Sequence, residues 1–209
     1  MYALVLIAAL ASGLLDRTAV IVDRHVITLS EVDEQLRVTA FLNRTPLDRS
    51  PAQLRRTAER LVEQVLLRNE MQITGYKSPL PSEALPLLKQ LRTGRPDFAA
   101  DLKTYGIDEA ALERILLWQL ATIRFIELRF RPGSAVGDSE VALHYRENYV
   151  PEWQRTHPAG ERAPELDDVR ERIEAELLEQ KVELALDAWL RQAREQARVR
   201  FVEEAFGPA

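Results

Sequence analysis

The sequence predicts a mainly α protein: a helical lobe closed by a small β-sheet that pairs an N-terminal hairpin with a C-terminal strand. Three observations carry that expectation. Ala19 to Asp33, AVIVDRHVITLSEVD, holds two short β-branched runs broken at Asp23-Arg24 and followed by a helix start. The long middle of the chain is a series of amphipathic or broadly apolar segments punctuated by Pro and Gly. Arg198 to Val202 then alternates basic and apolar residues with period two, as a strand with one buried face does. A hairpin of two such short strands is not stable alone and needs a third strand or a packed helix. The C-terminal run is the candidate for that third strand.

Taken in order, the first fifteen residues come before this sheet. Ala3 to Leu15 is an apolar run of thirteen residues, short of the ~20 that span a bilayer, and Ala9-Leu10-Ala11 has the small-x-small form of a cleavage site. This reads as a signal peptide over residues 1–11, giving an exported chain with no stable membrane span after cleavage. The n-region carries no Lys or Arg, and the alternatives are a buried N-terminal helix or an uncleaved anchor. Residues 12–209 then form a single lobe.

Thr28 and Glu31 have the spacing of a capping box, so the first helix opens between Thr28 and Ser30 and runs to about Asn43. Asp23-Arg24 is a poor type I′ turn, because arginine resists positive φ. Ser50-Pro51 opens a second helix, a hydroxyl cap followed by proline where its missing amide costs nothing, and Gly75 ends it. Ser82 is expected to cap a short helix to Leu91 that starts effectively near Pro86. Another runs from Asp97 to Tyr105 and ends at Gly106.

Asp108 caps the most apolar helix, to about Arg131. Leu112, Ile115, Leu116, Leu120, Ile123 and Ile126 fall on one face, and Trp118, Phe125 and Phe130 widen it. Such a segment is the centre of a bundle or the wall of an apolar groove. Asp138 begins a helix that Pro151 is expected to stop, and residues 151–164 read as a linker. Leu166 starts a long helix to about Ala197. Glu165 to Asp187 holds nine acids and three bases, and Ala188 to Arg200 four bases and one acid, a gradient that complements the helix dipole.

The chemistry of the chain is mostly that of exclusion. Cysteine is absent, so there are no disulfides, thiolate nucleophiles or zinc ribbons. The three histidines, His25, His144 and His157, make no metal pair at helical spacing. No G-x-S-x-G, glycine-rich phosphate loop or H-E-x-x-H occurs. A net charge of -5 with bases and acids intermixed argues against nucleic acid as a partner. The expectation from the residues is no catalytic residue, no metal and no cofactor.

In this order and spacing the segments resemble the SurA-type periplasmic chaperones, specifically their N-terminal domain. The resemblance rests on AVIVDRHVITLSEVD, the helix through Leu61 to Leu67, GIDEAALERILLWQLATIRFIELRF, VGDSEVALHYREN, and VRERIEAELLEQKVELALDAWLRQAREQARVRF. It divides the lobe into an N-terminal part (19–150), the linker, and a C-terminal helix and strand (165–203). In members with a parvulin prolyl-isomerase module, that module sits between the last two parts. Here only Val150 to Pro164 lies there, fifteen residues against the ~50 a domain needs.

The resemblance therefore implies the chaperone scaffold without the isomerase. It implies an ATP-independent periplasmic holdase that binds unfolded or nascent polypeptides, outer-membrane proteins foremost, through an apolar groove. Trp118, Phe125, Tyr145, Tyr149 and Trp153 are the candidates for the groove wall. The alternatives are a prolyl isomerase and a non-catalytic scaffold or adaptor of the cell envelope.

Overall fold

The computed structural model describes residues 16–158 and 160–207. The signal peptide expected over residues 1–11 lies outside them. The chain is mainly α with a three-stranded antiparallel sheet of order β2-β1-β3, where β1 is Thr18–Val22, β2 is His25–Thr28 and β3 is Val199–Phe201. The C-terminal run is thus the third strand, paired to β1 in the register Val20 to Phe201, Ile21 to Arg200 and Val22 to Val199.

The hairpin turn avoids the difficulty with arginine. Only Asp23 takes a positive φ, 53°, and Arg24 does not, so the turn is not type I′. Asp23 is held from outside the hairpin: its amide donates to the Arg198 carbonyl at 3.0 Å, and its carboxylate accepts from the Arg198 amide at 2.9 Å. The turn therefore depends on the chain end that supplies β3.

The first helix, α1 (Leu29–Asn43), opens with the expected capping box: the Thr28 hydroxyl accepts from the Glu31 amide, and the Glu31 carboxylate accepts from the Thr28 amide at 2.8 Å. The Ser30 amide and hydroxyl both donate to Asp16, and these bonds, the hydroxyl of Ser30 first, hold the Asp16 carboxyl below its ordinary range. At the other end, Arg44 adopts the left-handed conformation (φ 55°), and the Thr45 amide returns to the Ala40 carbonyl. The nearly buried Arg95 completes that cap by donating to the carbonyls of Phe41 and Leu42 at 2.7 and 3.0 Å, with its guanidinium 4.2 Å from the centre of the Phe41 ring.

The second helix, α2 (Pro51–Ile73), is capped by Ser50 with Pro51 in its first turn. Ser82 does not cap the next helix as expected. Residues Pro81–Glu83 form a 3₁₀ turn in which the Glu83 carboxylate reaches back to the Leu80 amide at 2.9 Å, and α3 (Leu85–Thr93) follows with Pro86 in its first turn. Then come α4 (Phe98–Tyr105), ended by Gly106 at φ +64°, and α5 (Glu109–Phe130), capped by Asp108.

Pro151 does not stop the helix that begins at Asp138. The segment α6 (Asp138–His144) widens into a π turn over Tyr145–Tyr149 and continues as α7 (Val150–Thr156). An interior proline lacks an amide and collides with the carbonyl four residues back. The Val150 amide instead bonds five residues back to Tyr145, so Pro151 falls in the first turn of the new segment, where no amide is required. The expected linker 151–164 is accordingly helical to Thr156, and the connection begins at His157. The last helix, α8 (Leu166–Gln196), is about 46 Å long and packs against α2, α5 and α6.

Two large cores and two smaller ones result. Under the sheet, Val20, Val22, Ile27, Val62 and Phe206 pack with the C-terminal end of α8. Beside it, Phe41, Phe98, Leu102, Leu112 and Leu116 join α1, α3, α4 and α5. Leu67, Met71 and Phe125 tie α2 to α5 and α8. Val141, Val169 and Ile173 join α6 to the N-terminal half of α8, forming an arm away from the sheet. No helix among the described residues is long and apolar enough to cross a membrane.

Candidate functional site: an apolar groove beside the sheet

The groove forms where α1, α2, α5 and α8 fail to close over one another. Its lower part lies between α2, α5 and α8 and encloses about 360 Å³, walled by Leu67, Ile115, Trp118, Ile123, Ile126, Leu186 and Leu190. Its upper part, about 320 Å³, is bordered by His25 and Ile27 of β2 and by Leu61, Val65 and Ile115. Gln35, Gln64, Ile115 and Trp118 line both, so the depression is continuous from the edge of the sheet to α8.

The broad apolar circumference of α5 accounts for the opening. Its buried stripe, Leu112, Ile115, Leu116, Ala121 and Phe125, is used against α1, α2 and α8, and part of the excess is left uncovered by the described residues. Ile123, on the apolar face read from the sequence, is 61% exposed at the lip, and Leu128 is also exposed. Trp118 is half-buried, with the Arg68 guanidinium 4.8 Å from its ring centre. Arg68 and Trp118 thus line the upper part of the groove together, joined by a cation–π contact.

The expected wall residues separate. Trp118 is in the groove. Phe125 is not: it is 1% exposed and sits edge-to-face on Tyr76 at 5.2 Å, beneath the wall rather than on it. Its position on α5 points between α2 and α8, where packing claims it first. Tyr145, Tyr149 and Trp153 lie on the arm, where four-residue spacing makes them a column: Tyr145 on Tyr149 at 5.7 Å, Tyr149 near Trp153 at 6.2 Å, and Trp153 stacked on His157 at 3.5 Å. The Tyr145 hydroxyl donates to the Pro164 carbonyl at 2.8 Å, and the Arg172 guanidinium lies 5.0 Å from the Tyr149 ring. These contacts secure the arm and line neither part of the groove.

Sequence reasoning missed Leu186 and Leu190, which reach the groove from a helix more than fifty residues away. It also missed the amides of Gln35, Gln64 and Gln119, which share the border of the groove with charged side chains such as Glu34, Arg60 and Arg68. The repeat of uncharged glutamines on the groove side of three helices was the available signal.

Electrostatically the groove is quiet. Arg114 pairs with Glu34 at 2.7 Å, and Glu31 is engaged in the capping box. Glu63, at the rim beside Leu67 and Leu190, is the exception: desolvation pushes its carboxyl above the ordinary value of 4.5, and Arg194 and Arg60 offset this only in part. Among the described residues no group of three or more His, Asp or Glu could hold a metal ion. No family model matches the chain, and neither does any curated protein.

Proposed function

We propose that this chain is an ATP-independent holdase of the periplasm that binds unfolded or nascent outer-membrane and secreted polypeptides in the groove between the sheet, α2, α5 and α8. The observation that supports the reading is the apolar lower part of the depression, between Trp118, Ile126, Leu186 and Leu190, with Ile123 61% exposed at its lip and a more polar upper part leading to the edge of the sheet. A soluble protein that leaves a contiguous apolar surface uncovered usually has a partner for it. Affinity there comes from removing apolar area from water, at roughly 25 cal/mol per Å² before the cost of ordering a flexible client. Such binding needs no nucleotide. It is also tolerant of sequence, because a hydrocarbon wall distinguishes poorly between apolar side chains.

The test is light scattering of a urea-denatured outer-membrane β-barrel protein diluted into buffer. The expected outcome is suppression of aggregation at a few-fold molar excess of this chain without ATP, weakened by Trp118→Ala and by Ile123→Ser. No suppression by the unaltered chain would sink the reading. A proline-peptide isomerisation assay separates it from the isomerase alternative, and the expected rate is that of the spontaneous reaction.

A further inference from the structure

We infer that the groove takes its occupant as an added β-strand, hydrogen-bonded to the free edge of β2 through the amide and carbonyl of Val26. This inference rests on the holdase reading and specifies the form in which a client is held: an extended, uncharged segment with apolar side chains at alternate positions.

The register of the sheet leads to it. On the β3 side, the Asp23 amide bonds the Arg198 carbonyl and the Val202 amide bonds the Ala19 carbonyl. The odd-numbered residues of β1 therefore turn their backbone groups toward β3, and the even-numbered Val20 and Val22 turn theirs toward β2, opposite Ile27 and His25. Ile21 and Val26 are then a non-hydrogen-bonded pair, and the Val26 amide and carbonyl point away from β1, off the sheet. Because β2 is an outer strand in the order β2-β1-β3, no strand among the described residues lies beyond it.

What lies beside that edge is the groove. His25 and Ile27 face it, whereas Val26, 45% exposed, lies on the opposite face of the strand. A strand added to β2 would alternate in the same way. Every second side chain would enter the space bounded by Leu61, Val65, Ile115 and Trp118, and the intervening ones would face solvent. The formal charges bordering this space cancel, Glu31 and Glu34 against Arg68 and Arg114, with Arg114 paired to Glu34. The complementary occupant is therefore neutral on its inward face. Gln35 and Gln64, on the same border, supply both donors and acceptors for an extended backbone.

The experiment uses the full chain and a neutral, end-capped peptide of about ten residues that alternates tyrosine or valine with serine or threonine. Two isomers carry N-methyl groups on either the odd or the even amides, so that strand addition blocks one isomer and spares the other. Calorimetry should show at least a roughly tenfold weaker affinity for one isomer and an unchanged one for the other. Val26→Pro, which removes the outward amide at a position where an edge strand tolerates proline, should weaken the parent peptide to a similar degree with an unchanged melting curve. Equal binding of the two isomers overturns strand addition, whether both bind well or both poorly. Discrimination between the isomers that survives in a folded Val26→Pro protein overturns the assignment to β2. Should the chain suppress aggregation yet fail to discriminate, only strand addition falls; should it neither suppress aggregation nor bind the peptide, the holdase reading falls with it.

Discussion

The sheet lobe and the helical arm share α8 but are held together by different means. In the lobe, Phe41, Leu112, Val20 and Val62 are sealed from solvent, and the polar contacts, such as those of Arg95 with the α1 carbonyls, are themselves buried. In the arm only Val141, Val169 and Ile173 are buried, and the joint is made by surface clasps: Tyr145 to Pro164, Lys181 to the Ala135 carbonyl and Glu140, and Arg170 to Asp138. Exposed ion pairs contribute at most about 1 kcal/mol each. Each region also carries two buried polar atoms without a hydrogen-bond partner, the Tyr149 hydroxyl and the Trp153 indole N–H in the arm and the Thr122 hydroxyl and Arg55 Nε in the lobe, at about 1–3 kcal/mol apiece, and the arm has the smaller buried core to offset them. The difference teaches that the two ends of α8 have unequal local stability. The arm should open first while the lobe and its groove stay intact.

The largest effect should come from truncation after Ala197. It removes β3, the clasp on Asp23, and the buried Ala205 and Phe206, and we expect a loss of about 4 kcal/mol or more in urea unfolding of the whole lobe. Unchanged melting would refute the dependence of the hairpin on the C-terminal strand. Next come two core truncations that set the regions against each other. Phe41→Ala, which empties a site packed edge-to-face by Phe98 and Tyr105 at 5.9 Å, should cost about 3–5 kcal/mol and lower every lobe amide's protection together. Ile173→Ala should cost about 2 kcal/mol and accelerate hydrogen exchange in the arm alone. Matching global losses from the two would abolish the distinction between lobe and arm.

A smaller change is expected for Thr28→Ala. It removes half of the capping box at the sheet-to-helix junction and should lower stability by about 1 kcal/mol in the same unfolding measurement. The smallest concerns Glu63, whose folded carboxyl is raised above 4.5 by desolvation at the groove rim. Between the unfolded value and the raised one, the native state binds more proton, so this group's contribution to stability falls as pH rises through that interval. Glu63→Gln should therefore melt slightly higher than the parent at neutral pH and equal it in acid. A pH-independent difference would remove the carboxyl as its cause.

Much of the fold was legible because its signals are local. The Thr28–Glu31 box, the Ser50-Pro51 start, the Asp108 cap and the glycine at position 106 each depend on atoms within one turn of the residue concerned, and the structure places helix ends at all of them. The third strand was legible because period two is visible in five residues. Pro151 misled because its effect depends on a neighbouring change in hydrogen-bond register, the π turn at Tyr145–Tyr149, which no single residue announces. Ser82 misled because a competing side chain, Glu83, takes the cap from the other direction.

The candidate site was less legible, for a related reason. Composition marks Trp118 and Phe125 alike as large, apolar and on one helix, yet one faces the groove and the other lies beneath it. By itself the sequence determined which segments become helices or strands, where most of them begin and end, and that α5 has more apolar surface than one stripe can bury. Only the tertiary structure decided which part of that surplus stays uncovered, because exposure depends on where α2 and α8 happen to meet α5. It alone brought Leu186 and Leu190 from the far end of the chain to the groove, and it alone set β2, the outer strand among the described residues, beside it, since burial is a property of neighbours and not of residues.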